Sequence, residues 1–370
     1  MPADAAPPPD VTVAELADHF RQFGEITARK LPLYRRLCLG AAEDPEVVAR
    51  LFLARPEQQR VVLVLAAVHD VLLAGDGSPL GEWYGSVVTK PRPVGDGEDD
   101  PWPHFRDLAL RHPGVAQRLA TRSTQTNEVG RCATLLPAFA GIADDTDRPL
   151  GLLEVGASAG LNLLLDRYHY HYEPGGDVGG PSPVRLRAKV WGDRPLPVPA
   201  SMPAIASRVG LDLQPVDLTD PIAARWLVAC QWPDQLDRIE RVRAAIEVAA
   251  GDPPSVVAGD AIEAVPPLIQ AMPEWAIPVL FSTWVMAFLP DDRQRAFISM
   301  LGKIGATRDL SYVFSETSFE APGLPIPTAP GASDDPHVTA LVRVDWRKGR
   351  RAETRLADQH PHGAWITWLA

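Results

Sequence analysis

The segment from Gly151 to Asn162 reads Gly-Leu-Leu-Glu-Val-Gly-Ala-Ser-Ala-Gly-Leu-Asn, and it restricts the fold more than any other stretch of the 370 residues. An apolar run closes on an acid, Glu154. Gly156, Ser158 and Gly160 then alternate with alanines, and an apolar run compatible with a helix follows. The pattern predicts a buried strand, a tight turn and a helix start. Glycine in such a turn permits left-handed backbone angles and close approach of a second group. In open α/β sheets this turn lies at the carboxyl edge of the strands, where nucleotide-like ligands bind. The first N–H groups of the helix would then be available as donors. Simple packing of strand against helix also explains a glycine turn, so the spacing decides what it means.

A dinucleotide fingerprint G-x-G-x-x-G starting at Gly156 needs glycine where Ser158 and Leu161 stand. A G-x-x-x-x-G-K-[ST] phosphate loop is absent as well. What remains is Glu154-x-Gly156-x-Ser158-x-Gly160. It resembles the first motif of the class I S-adenosylmethionine (SAM) methyltransferases, acid-x-Gly-x-Gly-x-Gly, with Ser158 replacing the middle glycine. SAM carries an ammonium and a sulfonium but no phosphate, so an acid beside the turn attracts it. The same five residues, Gly156 to Gly160, also satisfy G-x-S-x-G, the nucleophile elbow of α/β-hydrolases. On that alternative Ser158 is a nucleophile, and Asp309 or Asp334 with His337 or His360 supplies its partners. The long helical stretch ahead of the motif, Glu154 itself and the later Gly259-Asp260 favour methyl transfer.

Length allows two ordinary domains or one enlarged one, and a hydrophobic share of 46% is ample for a core. A formal net charge of −11 argues against a nucleic-acid surface, without excluding a local basic patch. Three widely spaced cysteines, Cys38, Cys132 and Cys230, suit a reducing cytoplasm, and no cysteine/histidine spacing suggests a metal. The N-terminus lacks the regions of a signal peptide. The longest apolar run, Val61 to Ala74, is broken by His69-Asp70 and is too short to span a membrane. The expectation is a cytoplasmic protein acting on a small molecule, with no nucleic acid, membrane or metal partner and an open oligomeric state.

The predicted architecture is α/β. Residues 1–10 are a loose tail. Residues 11–145 form a helical lid or substrate domain, opened by a Thr12/Glu15 capping box. Residues 146–370 form a Rossmann-like, mostly parallel sheet domain with an insertion near 168–220. Within the insertion, 168–172 and 184–190 alternate as strands and suggest a long-looped hairpin. Buried strands are expected at 255–261, 278–284 and 310–314. Alternating runs at 338–346 and 364–369, with a turn near 347–350, suggest an antiparallel ending.

The methyltransferase resemblance implies roles for particular residues. Glu154 reaches the methionine end of the cofactor, and Gly156, Ala157, Ser158, Gly160 and Asn162 form the cradle. Asp260, with Ala261, faces the adenine. Ser282, Thr283 and Trp284, at the end of the fourth strand, line the reaction centre, with Trp284 toward substrate. The ribose acid is Asp212 or Glu173, Asp212 being preferred. Gln125 to Arg131 is polar and precedes an apolar helix. If Asn127 and Arg131 share a helical face, Arg131 can bind the cofactor carboxylate. Glu128 can then meet an ammonium or the acceptor, and Gln125 and Asn127 the substrate. Tyr168, His169 and His171 supply a candidate general base. The alternative for these three is an exposed strand with aromatic packing.

Across residues 12–370 the chain resembles the bacterial domain-of-unknown-function 2332 family. The carrying segments are 125–131, 153–162, Asp166-Arg167-Tyr168, Trp226-Leu227 with Trp232-Pro233, and Gly259-Asp260. This resemblance implies no particular chemistry. A non-catalytic ligand-binding relative therefore stands beside the two enzyme readings.

Overall fold

Among the described residues eleven strands join in one sheet, and the order in which they join places the site. The structure is a computed structural model that describes residues 11–370; the tail assigned to 1–10 lies outside the described residues. The helices are α1 (Val13–Gln22), α2 (Pro32–Ala42), α3 (Pro45–Ala49), α4 (Val61–Leu73), α5 (Trp102–Arg111) and α6 (Pro113–Thr121). Then come α7 (Cys132–Thr146), α8 (Pro221–Ala229), α9 (Leu236–Ala250), α10 (Ala261–Gln270) and α11 (Asp291–Gly305). The strands are β1 (Leu150–Val155), β2 (His169–Glu173), β3 (Gly176–Val178), β4 (Arg185–Trp191), β5 (Ile205–Asp212) and β6 (Val256–Ala258). They continue with β7 (Ile277–Thr283), β8 (Leu310–Glu316), β9 (Thr339–Arg347), β10 (Arg350–Gln359) and β11 (Trp365–Trp368).

The chain divides into two compact units. One comprises the residues up to Thr126 together with Asp220–Arg243. Its helices start on sequence cues. Thr12 and Glu15 form a reciprocal capping box at α1. Asp44 caps α3 with Pro45 in the first turn. Helix α4 is buried almost all round, and its two polar residues are both engaged. His69 meets Ala229 O at 2.9 Å and Ser86 Oγ at 2.7 Å, while Asp70 pairs with Arg118 and Arg225. Burial pushes the His69 imidazole down to about 4, so it is neutral and structural.

The other unit comprises Asn127–Thr219 and Ala244–Ala370 and holds the whole sheet. The fold is mixed α/β with a large, mostly parallel sheet in the order β3-β2-β4-β11-β10-β9-β8-β7-β1-β5-β6. The block β8-β7-β1-β5-β6 is parallel throughout. Strands β1, β7 and β8 are buried along their whole length, as expected for central parallel strands covered on both faces. After β1 the chain builds β5 and β6 on one side, then crosses to β7 and β8 on the other. The order therefore reverses between β1 and β7, and ligands of open sheets bind outside the carboxyl ends at such a point. Beyond β8 the sheet continues antiparallel through β9, β10 and β11, with β9 and β10 joined at Lys348 and Gly349, both with positive φ.

Two expectations are corrected. The segments at 168–172 and 184–190 are not a hairpin: β2 and β4 pair in parallel, and the short β3 returns antiparallel along the other side of β2. The run after Gly160 is not an α-helix but a 3-10 turn, Leu161–Arg167, kinked at Leu164. Its carbonyls are taken by side chains. Tyr168 and Tyr170 donate to Leu161 O and Leu165 O, both at 2.6 Å, and Arg208 donates to Leu163 O at 2.8 Å. A continuing helix would need those same acceptors.

Candidate functional site at the carboxyl ends of the central strands

Glu154 is the penultimate residue of β1 and is almost wholly buried. Its Oε1 accepts from Asn162 Nδ2 at 2.8 Å, and its Oε2 has no hydrogen-bond partner among the described residues. Burial raises its carboxyl to about 8, against the pull of the Asn162 hydrogen bond and the Arg131 charge and with the push of Asp212. An acid in this condition is mostly neutral at pH 7.

The turn beyond it runs through left-handed backbone angles. Gly156 and Gly160 both have φ of 73°, and Ser158 has φ of 53°, a region that non-glycine residues seldom enter. A Cβ on Gly156 would lie 2.3 Å from Val285 Cγ2, and one on Gly160 would press on Pro254 and Val256. Close approach of neighbouring loops therefore demands both glycines. The strained Ser158 is locked on both sides. Its N–H donates to Asp212 Oδ2 at 2.7 Å, and its carbonyl accepts from Val216 at 3.0 Å. Its hydroxyl is buried with no partner among the described residues. Asp212 closes β5 and also accepts from Gln214 N–H at 2.8 Å.

Asn127 Oδ1 accepts the N–H of Leu161 at 3.0 Å, so it fixes the exit of the turn. It does not share a helical face with Arg131, as the sequence suggested, because α7 starts only at Cys132. The preceding residues form a 3-10 turn, Val129–Arg131, capped by Glu128, whose Oε1 accepts from Gly130 N–H at 2.9 Å. Glu128 Oε2 also lies 3.8 Å from His362 Nδ1. Arg131 spans to the end of β7, donating to Thr283 O at 2.9 Å and Thr283 Oγ1 at 3.2 Å, and to Pro361 O at 3.0 Å.

Thr283, expected with Ser282 and Trp284 at the end of the fourth strand, receives Arg131. One neighbour was missed in the sequence. Glu316 closes β8, fully buried, and its Oε1 accepts from Val285 and Met286 N–H at 2.8 and 2.9 Å while Oε2 has no partner. Burial raises its carboxyl to about 7, moderated by those two N–H groups and by Arg131. An acid ending a buried strand was the available signal, the same one that marked Glu154. Trp284 follows β7 at φ 57°, its N–H bonded to Ser315 O at 3.0 Å and its indole N–H buried without a partner.

Other expected site residues have local structural duties. Asp260 caps α10, accepting from Ile262 N–H at 2.9 Å, and pairs with Arg293 at 2.6 Å. Ala261 opens that helix. Ser282 bonds Tyr312 OH at 2.7 Å. Ala157 is buried, its N–H bonded to Leu211 O. Gln125 belongs to the other unit, where its N–H lies 3.5 Å from Cys230 Sγ. Tyr168 is a buried brace. His169 and His171 face outward from β2 and both meet Asp177 Oδ1, at 3.2 and 3.0 Å; Glu173 is exposed at the end of the same strand. Strand alternation explains this, because the tyrosines take the inner face. Among the described residues, no group of three or more His, Cys, Asp or Glu is arranged to hold a metal ion. No helix there is long and apolar enough to cross a membrane.

The sequence matches, over residues 17–368, the family described as an uncharacterized protein conserved in bacteria, DUF2332. The chain belongs to this family. A search of curated proteins finds no match. The family match covers both compact units, and it contains the Glu154–Gly160 turn and the strand ends at Asp212, Thr283 and Glu316.

Proposed function

We propose that the chain is a SAM-dependent methyltransferase acting on a small-molecule acceptor, within a Rossmann-like domain of the class I kind. The observation that carries this reading is Glu154. It stands where the strand order reverses, with one buried carboxylate oxygen lacking a partner, beside a left-handed turn. The three strands on this side, β1, β5 and β6, carry Glu154, Asp212 and Asp260 at or just past their carboxyl ends. That is the succession of acids expected for ammonium, ribose and adenine.

The residues fit the cofactor as a donor set. Glu154 would take the ammonium. Each Asp212 oxygen accepts one N–H and keeps a lone pair for a ribose hydroxyl. Asp260 would have to share its carboxylate with Arg293. When bound, the cofactor supplies an electrophilic methyl on a sulfonium. The protein supplies alignment, with Ser282, Thr283 and Trp284 at the end of β7 beside the turn. Calorimetric titration with SAM and S-adenosylhomocysteine tests the reading: micromolar binding is expected, and absence of binding to either refutes it.

A serine hydrolase is the second reading, favoured by the positive φ and unpartnered hydroxyl of Ser158. Several observations oppose it. No imidazole hydrogen-bonds Ser158. Asp309 precedes β8 at the amino end of the parallel block and accepts from Lys348 N–H, about 20 Å of strand away. His337 packs on Phe319 and His360 on His362. A fluorophosphonate probe should leave the protein unlabelled; labelling that Ser158→Ala abolishes would replace the first reading with this one. A ligand-binding relative without catalysis would bind the cofactor and turn over no acceptor.

A further inference from the structure

The outward face of β3-β2-β4 holds a cavity of about 190 Å³ lined by His169, His171, Asp177, Arg185, Leu186 and Arg187. We propose that it is a second ligand site, independent of the methyltransferase reading, and that it binds the phosphate group of a small molecule. The register builds it. Parallel pairing sets His169 opposite Arg185 and His171 opposite Arg187, and antiparallel pairing sets Asp177 opposite His171. The inner side of β2 and of the residue just before it is taken by three buried tyrosines, Tyr168, Tyr170 and Tyr172, whose hydroxyls all bond backbone carbonyls. The imidazoles and guanidiniums are left together on the outer face.

Charge favours an anion there. Arg185 and Arg187 are exposed, and among the described residues neither has a carboxylate within ion-pair distance. The exposed Lys189 extends the same row. Like charges side by side on a sheet face repel, and an anion between them removes that cost. Asp177 is the one acid of the cavity, and both imidazoles hold the same oxygen, Oδ1. Those hydrogen bonds fix the ring orientations, and the two guanidiniums outnumber the one carboxylate, so the cavity keeps a net positive charge. This local excess of positive charge stands out in a chain of formal charge −11. Two guanidinium forks suit the bidentate geometry of phosphate. Further along the same face of β4, Trp191 is exposed and stacked on Trp365 at 4.5 Å, a surface on which a base can lie.

The test is titration of the full chain with inorganic phosphate and, separately, with adenosine 5′-monophosphate, at constant ionic strength set by sodium chloride. Saturable binding of at least one is expected. Arg187→Gln should weaken it about tenfold to a hundredfold, and Arg185→Gln with Arg187→Gln should abolish it. Both side chains are exposed, so these variants should keep the wild-type circular dichroism spectrum and Tm. Tighter binding of the nucleotide with quenching of tryptophan fluorescence, lost in Trp191→Ala, identifies a nucleotide. Equal affinity for both probes identifies phosphate alone. The proposal is overturned if neither probe saturates, or if the double variant binds as the wild type does.

Discussion

Binding of a cationic ligand at Glu154 should be proton-linked, and the structure sets the size of the effect. With its carboxyl raised to about 8, Glu154 is ionised in about a tenth of molecules at pH 7 and about a hundredth at pH 6. If only the ionised form holds an ammonium, apparent affinity falls by those fractions. The free α-amino group of SAM titrates near 8 as well, so above that pH the ligand loses its own charge. Affinity should therefore rise about tenfold per pH unit up to pH 8 and fall beyond it. At pH 7 nearly one proton should leave the protein for each ligand bound. Calorimetry in two buffers of different ionisation enthalpy reads this directly, as the slope of apparent enthalpy against buffer enthalpy. Glu154→Gln keeps an acceptor for Asn162 but removes the charge. It should abolish both the proton release and the acidic limb, and weaken binding at pH 8 by roughly 2 kcal/mol, the scale of a charge-assisted hydrogen bond. Saturable binding that is flat from pH 6 to 8, or a Gln variant with the same proton release, refutes the reasoning.

Other outcomes follow from the same geometry. Glu316 has its carboxyl raised from 4.5 to about 7, so the stability tied to its protonated form is complete below about pH 4.5 and lost as pH rises through 7. Wild type should lose roughly 3 kcal/mol more than Glu316→Gln between pH 4 and pH 8, measured by urea denaturation of both. Arg131→Met removes the cation that lowers both Glu154 and Glu316; the acidic limb of ligand binding should move to higher pH, and Tm should drop. Gly156→Ala meets positive φ and a contact of 2.3 Å with Val285, and should cost about 2–4 kcal/mol. Adding Val285→Ala should recover the steric part and leave the φ penalty.

The turn was legible because its constraints are local. Glu154 ends a run that must be buried, and glycine at 156 and 160 marks backbone that other residues seldom adopt. Asp212 was harder to place, since the insertion between β1 and β5 separates it from the turn in sequence, yet it proved to hold the N–H of Ser158. The errors came where tertiary partners override local pattern. Asn127 and Arg131 sit four residues apart beside an apolar helix, but Glu128 caps a separate 3-10 turn there and splits their directions. The apolar run after Gly160 has helical composition, but tyrosines from the next strand consume its carbonyls. The histidine–tyrosine alternation was recognised as a strand; which face is inner depends on what packs beneath it, and sequence periodicity is silent about that.

Glu316 shows why part of such a site escapes sequence reading even when its signal is present. An acid at the end of an apolar strand is ambiguous alone, because it can point to solvent, cap a neighbouring turn or wait for a ligand. Glu316 does the second with Oε1, holding the N–H groups of Val285 and Met286. In doing so it fixes the loop whose Val285 side chain reaches Gly156. The glycine turn after β1, the loop after β7 and the acid ending β8 are thus one mechanical unit, and Arg131 lies within electrostatic reach of the acids on both sides. Arg131 lowers each acid separately, so Arg131→Met should raise the midpoints of both at once. A variant that moves the pH dependence of ligand binding but leaves the Glu316-linked stability profile unchanged refutes that shared role.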